Sequence, residues 1–434
     1  MTTLLAATFA LIGIPAIGSA VPGKPNPLQQ APTFQFKNQI EIGFCTEFDW
    51  IWNDSGSGSD RDGGYWWPRP GEGFHALGAL GLSDHGDPNG NHAVLVVRDI
   101  SGSKERPALK PPLEYTWIWN DAGSGADSDV AFWQPVPPEG YVAMGTVATN
   151  GAQPPVDMVR CVRADLVQPA EVGSLTWNDT GSGADREFSS WTIKVAASSP
   201  GEISASPGTF VAWQNGGKPE RHESAYSLRL SASEFLAPGS TEFQSPRLTG
   251  FEAPSGFERM ERTYIIRLPW FAVTDPQLSD AQKLAQSPVY HLVRTDKYKL
   301  LQHYHNDTSV EQTHEEEVTT GFSESATESF SKTTGIELTG KYEHGGELWG
   351  GKVSCELKLS QSFTWGSSTS KEVHGQTTTK LPMKVPPHTA SAMFAVESSY
   401  KLIRNEGRGS QAGTVVTGSS PRSIFITSFP REDR

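Results

Sequence analysis

The chain has 434 residues with 43 Gly, 31 Pro, three Cys and a formal net charge of −13. That length allows two or three domains, and the Gly, Pro and Ser/Thr content points to an all-β protein with many turns. The negative balance argues against nucleic acid or a strongly anionic lipid as a charge-driven partner, and an odd number of cysteines as small as this excludes a disulfide framework.

Residues Met1 to Ala20 carry no charge and end in Gly18-Ser19-Ala20, the small residues a signal peptidase needs. Pro15 interrupts this run and the first basic residue is Lys24. A spanning helix needs about 20 consecutive apolar residues, so 1–20 reads as a signal-like segment of a secreted, soluble precursor. In that setting Asn53, Asn178 and Asn306 head Asn-x-Ser/Thr glycosylation sequons.

The amino-terminal half is a threefold repeat. Trp52-Asn53-Asp54-Ser55-Gly56-Ser57-Gly58-Ser59-Asp60 returns at Trp119 to Asp127 and again at Trp177 to Asp185. The leading tryptophans stand 67 and 58 residues apart, room for about four short strands per unit. Each unit carries a second tryptophan, Trp67, Trp133 and Trp191. Then comes Gly73-Phe74-His75-Ala76-Leu77-Gly78, matched by Gly140 to Gly145 and, in decayed form, by Thr209 to Trp213. Closing strands are predicted at Val94–Arg98, Val159–Arg163 and Tyr226–Leu230. Three such units sharing a core predict a pseudo-threefold β domain.

This Trp-Asn-Asp-x-Gly-Ser-Gly-x-Asp unit, followed by Gly-[Phe/Tyr]-x-Ala-[Leu/Met]-Gly, resembles the vacuolar protein sorting-associated family, sixty-second member, over about residues 35–235. The resemblance implies a β-prism of three four-stranded sheets, placed in a receptor-binding domain over 21–260. The loops admit two readings. In one, the glycines make tight turns, the Asp side chains cap backbone N–H groups and the tryptophans fill the core. In the other, Asp54, Gly58, Asp60, Asp121, Gly125, Asp127, Asp179, Gly183 and Asp185 form exposed tips whose carboxylates take sugar hydroxyls beside aromatic faces. A calcium loop at Asp54, Asp60, Asp62 and Gly63 has hard oxygen ligands but lacks the spaced Glu of an EF-hand.

A Pro/Ser/Gly-rich exit, Gly216 to Glu261, leads to a strand at Tyr264–Phe271. A short helix is predicted over Ser279–Gln286, with Ser279 as N-cap and Pro288 closing it. His303 and His305 share one strand face without a third ligand in reach. Strand segments up to Gln312 then lead into the most distinctive stretch, Val318 to Val373. Its first arm sets Val318, Phe322, Ala326, Phe330, Ile336, Leu338 and Tyr342 on even numbers, with polar residues between. After His344-Gly345-Gly346-Glu347, the second arm sets Trp349, Val353, Cys355, Leu357, Leu359, Phe363, Trp365 and Val373 on odd ones.

Alternation places one set on each face of a strand, and Gly-Gly suits a tight reversal. Each arm alternates for about 25 residues, longer than the ~9–11 of a membrane-spanning strand. The pattern suits a pore-forming hairpin, or an amphipathic sheet that stays in water. In the first case Ile336, Leu338, Tyr342, Val353, Cys355, Leu357 and Leu359 meet lipid, while Glu337, Lys341, Glu343, Lys352, Glu356 and Lys358 face a lumen. Glu315-Glu316-Glu317 at the base reads as a solvated edge.

The order of an Asn-x-Thr lead-in, Ser/Thr-rich arms around an amphipathic hairpin, a Pro386-Pro387 exit and a long return strand to Arg404 resembles the aerolysin-type β-pore-forming module of epsilon-toxin and mosquitocidal-toxin relatives. The resemblance covers about 262–404, with Ser423–Phe429 adding a last strand. It implies an elongated oligomerisation and pore-forming domain over 261–434. No Gly-x-Ser-x-Gly elbow, phosphate-binding loop or His-Glu-x-x-His occurs, so no catalytic residue, metal or cofactor is expected. The expectation is a secreted, non-enzymatic protein that binds a cell-surface glycan or lipid, forms a homo-oligomer on the target membrane and inserts a β-barrel. A lectin-like or storage protein is the alternative, and a trafficking adaptor is suggested only by the first family's name.

Overall fold

The computed structural model describes residues 33–195, 202–231, 245–257, 261–340, 355–359, 376–405, 410–419 and 424–430. The signal-like segment 1–20 lies outside them. The described chain is built almost wholly of antiparallel strands, with two α-helices, α1 (Asp280–Gln286) and α2 (Glu324–Thr334). No helix among the described residues is long and apolar enough to cross a membrane.

Each repeat begins with a three-stranded sheet: Phe48–Asn53, Gly64–Pro68 and Leu80–Leu82; then Glu114–Asn120, Ala131–Val136 and Val147–Thr149; then Glu171–Asn178, Ser189–Lys194 and Phe210–Trp213. The remaining strands form a second small sheet in each unit, centred on Val94–Asp99, Cys161–Arg163 and Tyr226–Ser231. In place of the expected four strands in one sheet, each unit has six or seven short strands in two sheets. In the first two units the break falls at Gly78 and Gly145, where neighbouring units meet: Ala79 N–H donates to Thr146 O and Thr146 N–H to Phe210 O. A Cβ on Gly78 would come within 3.0 Å of that Thr146 oxygen.

Trp52, Trp119 and Trp177 are fully buried together with Tyr65, Phe132, Phe188 and Phe210. Their rings contact edge-on or tilted, as aromatic quadrupoles prefer, with centroids 5.3 Å apart for Trp52 and Trp177 and 4.5 Å for Phe132 and Phe188. One residue of each motif thus supplies a third of a shared core.

The carboxy-terminal half is a seven-stranded sheet in the order Glu261–Pro269, Val289–Asn306, Thr389–Arg404, Gln411–Ser419, Gln312–Phe322 and Thr377–Val385, with Phe425–Phe429 also paired to Thr389–Arg404. The 18- and 16-residue strands run against each other from Tyr290 opposite Arg404 to Asn306 opposite Thr389. Asn306, expected as a sugar acceptor, is instead buried. Its Nδ2 donates to the carbonyls of Val310, Val385 and Pro386, tying the lead-in of the hairpin to its exit.

The two halves share one core cluster, running from Ile42, Leu95 and Leu228 to Trp270, Tyr290 and Leu402. At their junction Phe44 meets Trp270 at 5.0 Å and Phe34 meets Phe271 at 5.8 Å. The predicted helix α1 is present, with a capping box between Ser279 and Gln282.

The first arm of the predicted hairpin is not one strand. It runs as strand to Phe322, turns into α2 over Glu324–Thr334, passes through a left-handed Gly335 (φ 70°) and resumes as strand at Ile336–Gly340. The physical reason lies in the spacing. Phe322, Ala326, Phe330 and Thr334 recur every four residues, a step that is even, as a strand face needs, and close to the 3.6 of a helix. The docking of that face on the core selects the helix.

Candidate functional site

The three motif loops meet at one apex. Each is made tight by two left-handed glycines, Gly56 and Gly58, Gly123 and Gly125, Gly181 and Gly183, with φ between 73° and 90°, a region costly for any residue with a Cβ. The first aspartate of each motif is a cap and not an exposed ligand. Asp54, Asp121 and Asp179 are only 5%, 8% and 7% exposed. Each accepts a hydrogen bond nine residues on: Asp54 from Gly63 N–H at 2.8 Å, Asp121 from Val130 at 3.1 Å, Asp179 from Phe188 at 2.7 Å. The binding reading is corrected for these three, because a carboxylate enclosed by its own loop cannot face a ligand.

The second aspartates, Asp60, Asp127 and Asp185, are exposed and sit on the neighbouring loop. Asp60 N–H donates to Thr180 O, Asp127 N–H to Ser55 O and Asp185 N–H to Ala122 O, at 2.8 to 2.9 Å. A second ring of bonds runs beneath: Trp52 Nε1–H to Ser128 O, Trp119 to Arg186 O and Trp177 to Arg61 O. Each loop therefore clasps the next until the third clasps the first. The apex presents three carboxylates around a rigid glycine-rich ring, able to accept hydrogen bonds from hydroxyl-bearing ligands.

An exposed aromatic of the first repeat, Trp50, was not singled out by sequence. In a regular strand Trp50 and Trp52 share a face, yet Trp50 is 51% exposed and Trp52 fully buried. A bulge at Ile51 separates them, since Trp50 pairs with Trp66 and Trp52 with Tyr65. The same extra residue recurs at Ile118 and Thr176. The corresponding side chains differ: Trp117 lies under the Arg186 guanidinium at 5.0 Å, and the third unit has Leu175. Only the repetition of the bulge-bearing strand, Trp-Ile-Trp-Asn at 50–53 and 117–120, signalled this in the sequence.

Asp54 and Asp62 of the considered calcium loop do come together, joined by His85, with one ligand atom of each within 4.8 Å of the others. Asp60 is carried away to the neighbouring loop. His85 Nε2 lies 2.6 Å from Asp54 Oδ1, so the pair is satisfied as a hydrogen bond. His305 stacks on Phe251 at 4.7 Å, and burial lowers the pKa of His303. Burial raises the Cys161 thiol to about 12 and also raises that of Cys45, leaving both as small hydrophobes without thiolate character.

Beyond Gly335 the strands Ile336–Gly340 and Cys355–Leu359 pair antiparallel, with Ile336 opposite Leu359, Glu337 opposite Lys358, Leu338 opposite Leu357 and Thr339 opposite Glu356. Lys341, Tyr342, Glu343, Lys352 and Val353 lie outside the described residues. At the base, Glu316 accepts from Gln302 Nε2 at 2.7 Å, and Glu317 lies 3.8 Å from Lys380.

Residues 38–242 match the family model of vacuolar protein sorting-associated protein 62. The matched stretch contains all three loops of the apex and covers the region where the repeated motif placed the resemblance. Among solved structures, GNIP1Aa from Chromobacterium piscinae aligns over 43% of this chain and 34% of its own length, at 24% identity and a TM-score of 0.36. The chain thus spans about a third of that protein. Cry35Ab1 aligns over 75% of this chain and 89% of its own, at 11% identity and a TM-score of 0.32. Lamprey immune protein aligns over 90% and 98%, at 9% identity and a TM-score of 0.15. No curated protein matches the chain.

Proposed function

We propose that the chain is a pore-forming toxin or defence protein that acts from outside the target cell. Its repeat half binds a cell-surface glycan or lipid headgroup, its second half assembles with further copies of itself, and one hairpin per copy enters the membrane. The observation that carries this reading is the tip ladder, in which Ile336, Leu338, Leu357 and Leu359 oppose one another in register between Ser/Thr-rich arms. A spanning sheet must close into a barrel to satisfy its backbone groups in lipid, so several copies are required.

Trp50 and the carboxylates of Asp60, Asp127 and Asp185 supply an aromatic face and acceptors for a sugar, the combination that receptor binding needs. The role is binding and assembly rather than catalysis. Dye release from erythrocyte ghosts tests it. The wild-type chain is expected to release dye, and Leu338→Asp or Leu357→Asp to bind the ghosts without release. Intact binding by the wild type without release, at any pH or after protease trimming, would establish the lectin-like alternative instead.

A further inference from the structure

Helix α2 interrupts two ladders that otherwise belong to one hairpin. Before it, Gln312–Thr320 pairs with Thr377–Val385, ending with Thr320 opposite Thr377. After it, pairing resumes with Ile336 opposite Leu359. Between these fixed pairs lie residues 321–335, fifteen on the outgoing arm, and 360–376, seventeen on the return arm. The difference is two. An extended outgoing arm would thus meet the return arm with a two-residue bulge, and because the excess is even, every residue would keep its face. An odd excess would have turned the tip over relative to the base.

The helix is also poorly suited to exist on its own. It has eleven residues, six of them Ser or Thr, below the ~12–15 at which isolated helices become marginal. Ser323 at the N-cap position makes no side-chain cap. The hydroxyls of Thr327, Thr333 and Thr334 turn back on the carbonyls of Ser323, Ser329 and Phe330, a habit that weakens helices slightly.

Docking holds it in place. Phe330 and Ile336 are fully buried beside Tyr400, Leu402, Ala412 and Val416. Thr333 Oγ1 accepts from Thr414 N–H, and Thr334 O accepts from Thr274 N–H. Gly413 leaves the space, since a Cβ there would come within 2.8 Å of Thr333 and Thr334. The face that docks, Phe322, Ala326, Phe330 and Thr334, is the one that would line a single face of a strand.

We infer that α2 is a latch: a strand-coded segment stored as a helix, which on leaving the Gln411–Ser419 strand straightens and joins the two ladders into one hairpin. Eleven residues span about 16 Å as helix and about 36 Å as strand. Straightening therefore moves the tip about 20 Å further from the body by the same rises. The purpose of the latch rests on the pore reading; the test of the latch does not.

Spin labels at Glu324→Cys and Lys332→Cys, both exposed positions, with Cys355→Ser, report the change, since Cys45 and Cys161 are buried. Their backbone separation is about 12 Å in a helix and about 26 Å in a strand. In buffer the labelled chain should give the short distance, and on ghosts that release dye a narrow long one. Phe330→Ala, or Gly413→Ala as a second route to undocking, should populate the long distance already in buffer. Ser325→Ala with Ser329→Ala strengthens the helix without touching its docked face and should slow dye release about threefold. A short distance on releasing ghosts overturns the latch while leaving the pore reading intact. Absence of release from any ghosts removes the pore reading, and the undocked variants in buffer then decide the latch: a short or broad distance overturns it, a narrow long one supports it.

Discussion

Asp121 is enclosed at the loop apex at a cost. Burial raises its carboxyl pKa even though the Val130 N–H favours the charged form. Asp121→Asn keeps the acceptor and removes the charge, so it should cost under about 1 kcal/mol in urea unfolding. Asp121→Ala leaves the Val130 N–H without its partner and should cost about 1–3 kcal/mol. In the carboxy-terminal half, burial pushes the Asp275 carboxyl upward, but Arg404, Tyr290 and the Gln277 N–H outweigh it and hold the pKa below the usual range. A depressed carboxylate contributes stability above its unfolded value, and that stability is lost as the pH falls through the folded one. Melting temperature should therefore drop below about pH 4, and by less in Asp275→Asn. Arg404→Met leaves the buried Asp275 carboxylate without its counter-charge and should cost about 3–5 kcal/mol at neutral pH. Little of this was legible in the sequence. The aspartates were marked by repetition, but repetition could not separate the enclosed first residue of each motif from the exposed second, and Trp50 was hidden by a bulge that period-two counting does not see.

Elements announced by their ends were readable, and those decided by their neighbours were not. Ser279 and Gln282 write the start of α1 into four residues, and the capping box forms as the spacing requires. Ser279→Ala should destabilise the chain by about 1 kcal/mol, seen as a small drop in the melting temperature without loss of the fold. Helix α2 has no such signature. Its spacing of four satisfies both periods, its Ser/Thr content favours neither, and the choice is made by a groove that strand Gln411–Ser419 opens at Gly413. The segments Ile336–Gly340 and Cys355–Leu359 pair as two arms of one hairpin, whereas the base pairs Gln312–Thr320 with Thr377–Val385, beyond the return arm that alternation marked.

Across the whole molecule, the repeat half behaves as a closed circuit. Because each loop's Asp N–H is held by the loop before it, a lesion in one loop should loosen all three. Gly181→Ala places a Cβ within 2.8 Å of Asp60 Oδ1 and strains a φ of 90°. It should raise amide exchange at Asp60, Asp127 and Asp185 together, whereas faster exchange at Asp60 alone would mean that the contacts are only pairwise. The triplication and its shared tryptophan core could be read from the sequence. The clasping could not, because all its acceptors are main-chain carbonyls some sixty to a hundred and twenty residues away. An open stack of repeats can gain or lose a unit at its end and keep its fold. Here every unit is both first and last, so a duplication would have no gap to enter and a deletion would leave two loops reaching for an absent third. The number three is fixed by geometry, which leaves sequence drift at the rim, as at Trp50, Trp117 and Leu175, as the route by which one such domain can come to differ from another.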